Sequence, residues 1–135
     1  QYTKLSYICT MQLTKNFHAD EFKCKDGSGV PLVLKHNVVK LATNLQVLRN
    51  HLGKAITITS GYRSPEHNKK IGGAKLSQHV FAKAADIKVE GMKPSKLADI
   101  IEKLIYEGKM SEGGIGIYHS WIHYDVRGIH ARWHD

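Results

Sequence analysis

The chain has 135 residues, of which 41% are hydrophobic and 24% are charged, and these values fit one globular domain with its own core. It contains no apolar run near the ~20 residues that a transmembrane helix needs. Its two cysteines, Cys9 and Cys24, are too few for a disulfide framework, and both a single bridge and two free thiols remain open. The formal net charge of +8 favours a polyanionic partner, such as nucleic acid, an acidic membrane or an anionic cell wall, without choosing among them.

The first third of the chain predicts an arm, a turn and one long helix. We expect residues 1–13 to form an N-terminal arm or a short strand, and residues 14–22 to form a helical turn capped by Asn16. We expect Asn37 to cap the long helix and Gly53 to end it in a left-handed conformation. The helix itself is indicated by apolar residues at steps of three and four, namely Val38, Leu41, Ala42, Leu45, Leu48 and Leu52.

The rest of the chain alternates short strands with two further helices. Ser64-Pro65-Glu66 and Pro94 are typical helix starts, and Gly108 is a typical helix end. We expect the last six residues, 130–135, to form a mobile tail. Four segments have the pattern of strands: 55–59, 84–89, 114–118 and 121–127. This order predicts an α+β fold, with a small, mainly antiparallel sheet and flanking helices, in a single domain over residues 1–135.

Two histidines and one carboxylate form the most informative pattern. Asp86 follows His79 by seven residues, which does not place them on one helical face but suits a loop histidine followed by a strand. His123 lies on a segment whose alternation also places Trp121, Asp125 and Arg127 on the same strand face. Two histidines and a carboxylate are a suitable ligand set for a catalytic zinc ion, with one position left for water.

The complete pattern resembles a known family. Ser77-x-His79, Asp86 after six further residues, His123-x-Asp125 and the lead-in SGYRSPEHN at 60–68 resemble the zinc D-Ala-D-Ala carboxypeptidase and L-alanyl-D-glutamate endopeptidase group, over about residues 16–133. The resemblance implies a hedgehog-type fold with a zinc cleft on the sheet. It also implies one Zn²⁺ bound by His79, Asp86 and His123, which would activate water and polarise a peptide carbonyl.

The same resemblance suggests roles for further residues. It implies that Arg63 binds substrate near the cleaved bond and that Ser77 contacts substrate. The alternatives are a structural hydrogen-bonding arginine and a serine that caps its loop. Asp125 has two open roles, which are to orient a metal ligand or to pair with Arg127.

Two positions depart from the family pattern. Ser120 stands where many members carry an acid or a histidine, three residues before the last zinc histidine, and serine is a poor base near neutral pH. We expect His119 to act as the general base if the last strand runs unbroken from residue 119. Ala82 stands where the family usually has glycine, so its backbone must adopt an angle that alanine permits.

The sequence therefore predicts a zinc-dependent peptidase that cleaves peptidoglycan stem peptides at the bacterial cell wall. A phage lysin, a phage-particle component that contacts other particle proteins, and a periplasmic or secreted wall enzyme all fit this prediction, so the location is left open. The alternative is a non-catalytic, metal-stabilised module for wall binding or phage structure. A nucleic-acid partner has only the net charge in its favour, and we expect no specific one and no membrane span.

Overall fold

A computed structural model describes residues 7–8 and 10–135. It contains three α-helices and seven strands within this part of the chain. The helices are α1 (Lys35–Leu52), α2 (Pro65–Lys70) and α3 (Pro94–Tyr106), and short 3₁₀ turns lie at Ala19–Phe22, Leu32–Leu34 and Gln78–Phe81. The strands are β1 (Tyr7–Ile8), β2 (Val30–Pro31), β3 (Thr57–Ser60), β4 (Ala84–Lys88), β5 (Gly114–Ile117), β6 (Ile122–Asp125) and β7 (Ala131–His134). None of these helices combines the length and the apolar character that crossing a bilayer requires.

Five of the strands form one sheet in the order β3-β4-β6-β5-β7, and all neighbours are antiparallel except β5 and β7. This arrangement confirms the predicted α+β class with its mainly antiparallel sheet. Strands β1 and β2 form a separate antiparallel pair. β1 lies within the predicted N-terminal arm or strand, whereas residues 1–6 and Cys9 lie outside the described residues.

The two faces of the sheet differ in chemistry because side chains alternate along each strand. On β4, Ala85 and Ile87 join the hydrophobic core, and on β6, Ile122 and Tyr124 do the same. The alternate residues of these strands point to the other face. Helix α3 packs against β5 and β6, and the apolar residues of α1 and α3 belong to the same buried cluster. The sheet thus has one core face and one face free to carry a site.

Several helix ends follow the local signals in the sequence. Ser64 caps α2, where its Oγ accepts a hydrogen bond from the N–H of His67 at 3.1 Å, and Pro65 is the first helical residue. Gly53 ends α1 with a φ of 65°. The predicted Asn37 cap is wrong. The turn Leu32–Leu34 continues directly into α1, which therefore begins earlier, at Lys35, and the Asn37 amide donates instead to the carbonyl of Phe81 at 3.0 Å.

Two further local predictions are also wrong. The 3₁₀ turn at Ala19–Phe22 is capped by His18 rather than by Asn16, because the His18 ring accepts from the N–H of Asp20 and Glu21 completes the capping box. The end of the chain is not a mobile tail, because β7 pairs with β5 through backbone hydrogen bonds. Arg132 on β7 also forms ion pairs with Glu102 on α3 and with Glu112.

Candidate metal centre and its cleft

Three separate elements bring the predicted ligands together. His79 lies in the turn Gln78–Phe81, Asp86 on β4, and His123 opposite Asp86 on β6. One Asp86 oxygen, Oδ1, lies 3.3 Å from Nε2 of His79 and 3.5 Å from Nδ1 of His123. The three residues are 2%, 9% and 7% exposed respectively, and one potential ligand atom from each lies within 4.8 Å of the other two.

In each histidine ring, one nitrogen points away from the cluster and forms a hydrogen bond, and this bond determines which nitrogen faces the cluster. Nδ1 of His79 lies 2.7 Å from the carbonyl oxygen of Gly61, which can only accept, so Nδ1 donates. Nε2 of His123 lies 2.6 Å from the Asp125 carboxylate and donates to it. When the inner nitrogens carry no proton, as metal binding requires, both rings direct a lone pair at the Asp86 carboxylate. Three converging acceptors repel one another unless a proton or a metal ion lies between them, so the residues fit a metal ion.

The surroundings of Asp86 and Asp125 favour the ionised form of both carboxyl groups. Burial raises the pKa of Asp86, but in the absence of a metal ion the hydrogen bonds that His123 and His79 donate to this carboxylate outweigh the effect and bring its pKa well below the usual value. Burial likewise raises the pKa of Asp125, and its contacts with His123 and Arg127 lower it further than burial raises it. Both carboxylates are therefore anionic at neutral pH, as metal binding and its support require.

Asp125 fills both of the roles that the sequence left open. Besides accepting from His123, it accepts from the guanidinium of Arg127, with Nη2 at 2.7 Å and Nε at 2.9 Å. The N–H of Gly114 donates to it at 2.9 Å. This fully buried carboxylate thus fixes the His123 ring and is itself held from several sides.

Arg63 and Ser77 both line the cleft beside the cluster. Nη2 of Arg63 lies 3.8 Å from Asp86, and Nη1 contacts the amide oxygen of Asn68 at 3.4 Å. The Oγ of Ser77 accepts from the N–H of His79 at 3.2 Å and so caps the turn that carries this histidine. These contacts fit the structural alternatives and leave the substrate roles of both residues as predictions.

The predicted role of His119 as a general base required the last strand to run unbroken from residue 119, and in this structure it does not. β6 begins at Ile122, and a turn closed by the N–H of Tyr118 on the carbonyl of Trp121 precedes it. His119 and Ser120 are exposed in this turn, and His119 does not line the cleft. Its role as a general base remains a prediction.

The structure also explains why the family usually has glycine at the position of Ala82. This buried residue adopts a φ of 57° and a ψ of 31°, in the left-handed region that favours glycine.

The cleft has a volume of about 450 Å³ and an aromatic wall. Strand alternation placed Trp121 on the face of His123, but the sequence did not reveal that Tyr118 and Trp133 complete this wall. The rings of Tyr118 and Trp121 stack with centroids 4.9 Å apart. Nε1 of Trp133 donates to the Tyr118 hydroxyl at 2.8 Å, and the Trp133 ring lies 4.9 Å from that of His123. Gly116 pairs with both Trp133 and His123, and its lack of a side chain makes room for the Trp133 ring. A Cβ on Gly116 would lie 2.3 Å from Nε1 of Trp133.

The sequence is similar to that of a known zinc peptidase and matches the model of a peptidase family. The sequence is 38% identical over 52 residues to the zinc D-Ala-D-Ala carboxypeptidase of Streptomyces albus G. That match covers 38% of this chain and 20% of the relative, so it spans about a fifth of the relative's length. The sequence model of the Peptidase M15 family matches residues 15–125, which include all three residues of the cluster. The chain therefore belongs to the Peptidase M15 family.

Proposed function

We propose that this protein is a zinc-dependent peptidase that cleaves the stem peptides of peptidoglycan, of the D-Ala-D-Ala carboxypeptidase or the L-Ala-D-Glu endopeptidase type. The observation that carries the proposal is the convergence of three acceptor atoms from His79, Asp86 and His123 beside an open cleft. Membership of the Peptidase M15 family and the similarity to a zinc carboxypeptidase support it. Together they favour zinc as the metal and a wall peptide as the substrate.

The residues around the cluster have a consistent division of work in this proposal. A bound zinc ion would supply Lewis acidity, which activates water and polarises the peptide carbonyl. Asp125 keeps His123 in the tautomer that binds through Nδ1. Arg63 lies at the cleft wall with its guanidinium near Asp86, where two parallel N–H groups suit a substrate carboxylate or an oxyanion.

The proposal predicts chelator-sensitive cleavage of purified peptidoglycan, with peptide fragments identified by mass. The His123→Ala variant should lose most of its zinc and its activity. The exposed His36 of α1 provides the control, because His36→Ala should keep both. Release of the same fragments by zinc-free protein, or full zinc content in His123→Ala by elemental analysis, would refute the metal mechanism.

Arg63 provides a second test of the same proposal. Arg63→Lys keeps the charge but loses the planar fork, so kcat/KM should fall while zinc content and melting temperature stay near those of the wild type. Lys69→Arg, on the exposed side of α2, is the reverse exchange outside the cleft and should leave activity unchanged. Unaltered turnover in Arg63→Lys would return Arg63 to a structural role.

We propose His119 as the general base, a role that requires the turn at 118–121 to move the ring into the cleft when substrate binds. An imidazole has a suitable pKa, whereas the adjacent Ser120 does not. His119→Ala should keep zinc and fold but lose at least about tenfold in rate, against the ~10²–10⁴ typical of acid–base catalysis. A His119→Ala variant as active as the wild type would remove this residue from the mechanism.

The second candidate function is a non-catalytic, metal-stabilised module that binds the cell wall or belongs to a phage particle. Its support is the exposure of His119 and Ser120, which leaves no base from this turn at the cluster. Such a module should cosediment with peptidoglycan and release no fragment from it, with zinc bound. Cleavage by the wild type would exclude it.

A further inference from the structure

We propose that a groove beside the metal cleft binds a carboxylate group of the peptide substrate, an inference that rests on the proposed peptidase function. This basic groove is a second cavity, of about 480 Å³, lined by Lys25, Thr59, Ser60, His67, Ile71 and Lys88. It shares Arg63, Asp86 and Trp121 with the metal cleft. The two cavities therefore adjoin at one of the candidate metal ligands.

The geometry of β4 relates the groove to the metal centre. Asp86 and Lys88 are two residues apart on one strand, so their side chains point to the same face, about 6.6 Å apart along the strand. Lys88 pairs with Thr57 on β3, and the pairing then shifts between Ile58 and Ser60. An extended substrate also advances about 3.3 Å per residue. A carboxylate within two residues of the cleaved bond can therefore reach the Lys88 ammonium.

The charge of the groove selects an anion. It contains three permanent cations, Lys25, Arg63 and Lys88, and a single carboxylate, that of Asp86, which already lies beside Arg63. Over the described residues, neither lysine has an ion-pair partner. Asp26, the neighbour of Lys25, accepts instead from Ser28 and Ser64 and lines a different cavity. The two lysines thus leave positive charge uncompensated.

The opposite arm of the cleft has a different character, which gives the substrate a direction. Leu76, Tyr118 and Trp133 line that arm, and Leu76 is 73% exposed. Arg127 also lines it, but its guanidinium is paired with the Asp125 carboxylate. Because the arms meet at Asp86, one extended molecule can reach both the basic groove and the candidate metal centre. We therefore expect the acidic side of the peptide on the β3–β4 side and its less polar side near Trp133. A chain that occupies both arms extends on both sides of the metal, as an endopeptidase substrate does.

The experiment compares two synthetic peptides with amidated C-termini, L-Ala-γ-D-Glu-L-Lys and the same peptide with the glutamate α-carboxyl amidated as well, so that the first carries a single carboxylate. Isothermal titration of chelator-treated protein gives dissociation constants without cleavage, and initial rates of the zinc-loaded enzyme give KM and kcat. The double variant Lys25→Gln/Lys88→Gln should bind the acid peptide roughly fivefold to tenfold more weakly, as expected for two exposed charge pairs. Its affinity for the amide peptide and its kcat should stay within about twofold of the wild type.

The matched control is Lys40→Gln/Lys96→Gln, which removes the same charge from exposed positions on α1 and α3. It should leave both affinities unchanged. Equal weakening for the acid and amide peptides, or none for the acid peptide, would overturn the proposed groove. A wild-type protein that cleaves nothing would refute the peptidase function alone, because the titration still decides whether the lysines bind the carboxylate.

Discussion

The Asp125 carboxylate is fully buried between a histidine and an arginine, and its contacts explain why His123 presents Nδ1 to the cluster. His79 is held in the equivalent way by the carbonyl oxygen of Gly61. Both outer partners can only accept, so each ring donates outward and its other nitrogen faces Asp86, where it can bind a metal ion once it carries no proton. The orientation of the candidate ligands thus depends on residues outside the cluster.

Asp125→Asn should reduce zinc affinity by about tenfold to a hundredfold, the usual effect of changing a partner of a metal-binding histidine. The amide keeps the size of the side chain but loses the negative charge of the carboxylate. That charge makes Nδ1 of His123 a stronger ligand for the metal and balances the charge of Arg127. Competition with a chromogenic chelator measures the affinity. The control is Asp99→Asn, an exposed change on α3 that should have no effect. Unchanged affinity in Asp125→Asn would show that the ring orientation does not depend on this charge.

Among single residues, the sequence predicted which three side chains converge better than it predicted their surroundings. His79, Asp86 and His123 carried a spacing that the structure brings to one place. The position of His119 depended on where β6 begins, and strand alternation does not encode the path of a turn. The predicted cap at Asn37 failed for a similar reason. A 3₁₀ turn precedes α1, so the helix begins two residues before Asn37, and the capping signal in the sequence does not show this turn.

Among the elements, β7 differs most from expectation, because its sequence is polar and lacks the apolar alternation of a strand. It is an edge strand, parallel to β5, so only contacts with distant residues reveal it. Gly116 on β5 leaves space for the Trp133 ring of β7 beside His123. This strand also lies beyond the residues that the family model matches, yet it supplies a wall of the cleft.

Arg132→Gln tests what holds β7 in place. Arg132 donates to Glu102 at 2.6 Å, to Glu112 at 2.8 Å and to the carbonyl of Gly113 at 2.6 Å. Loss of these partly exposed contacts should lower the free energy of unfolding by about 1–2 kcal/mol at neutral pH, measured by urea denaturation. Lys103→Gln, an exposed change on α3, is the control.

The effect of Arg132→Gln should also depend on pH with a defined sign. Burial raises the pKa of Glu112, but the Arg132 hydrogen bond and the N–H of Gly113 outweigh it and lower the pKa below its usual 4.5. A lowered pKa in the folded state gives stability that is present above pH 4.5 and is lost as the pH falls through the folded value. The difference between wild type and variant should therefore shrink in acid. If the difference in free energy of unfolding stayed constant from neutral pH to below pH 4.5, the ion pair between Arg132 and Glu112 would not contribute to stability.

For the molecule as a whole, the candidate metal centre joins segments that are separate in sequence. His79, Asp86 and His123 belong to a turn and two strands, and the backbone N–H of Arg63 bonds to the carbonyl of His79. The apolar periodicity of the chain accounts for the core that holds these elements, and α1, α3 and β3 to β6 followed it closely. Periodicity gives no information on the polar contacts that close the site, because those depend on the pairing of distant segments.

Removal of the metal should therefore lower the stability of the whole domain at neutral pH. An ion that binds only the folded state adds about 2.7 kcal/mol at a hundredfold excess over its dissociation constant, which corresponds to roughly 8–13 °C in melting temperature for a domain of this size. Calorimetric scans with zinc and with a chelator measure the shift. The His123→Ala protein should show almost none, so an equal shift in that variant would place the stabilising metal at another site.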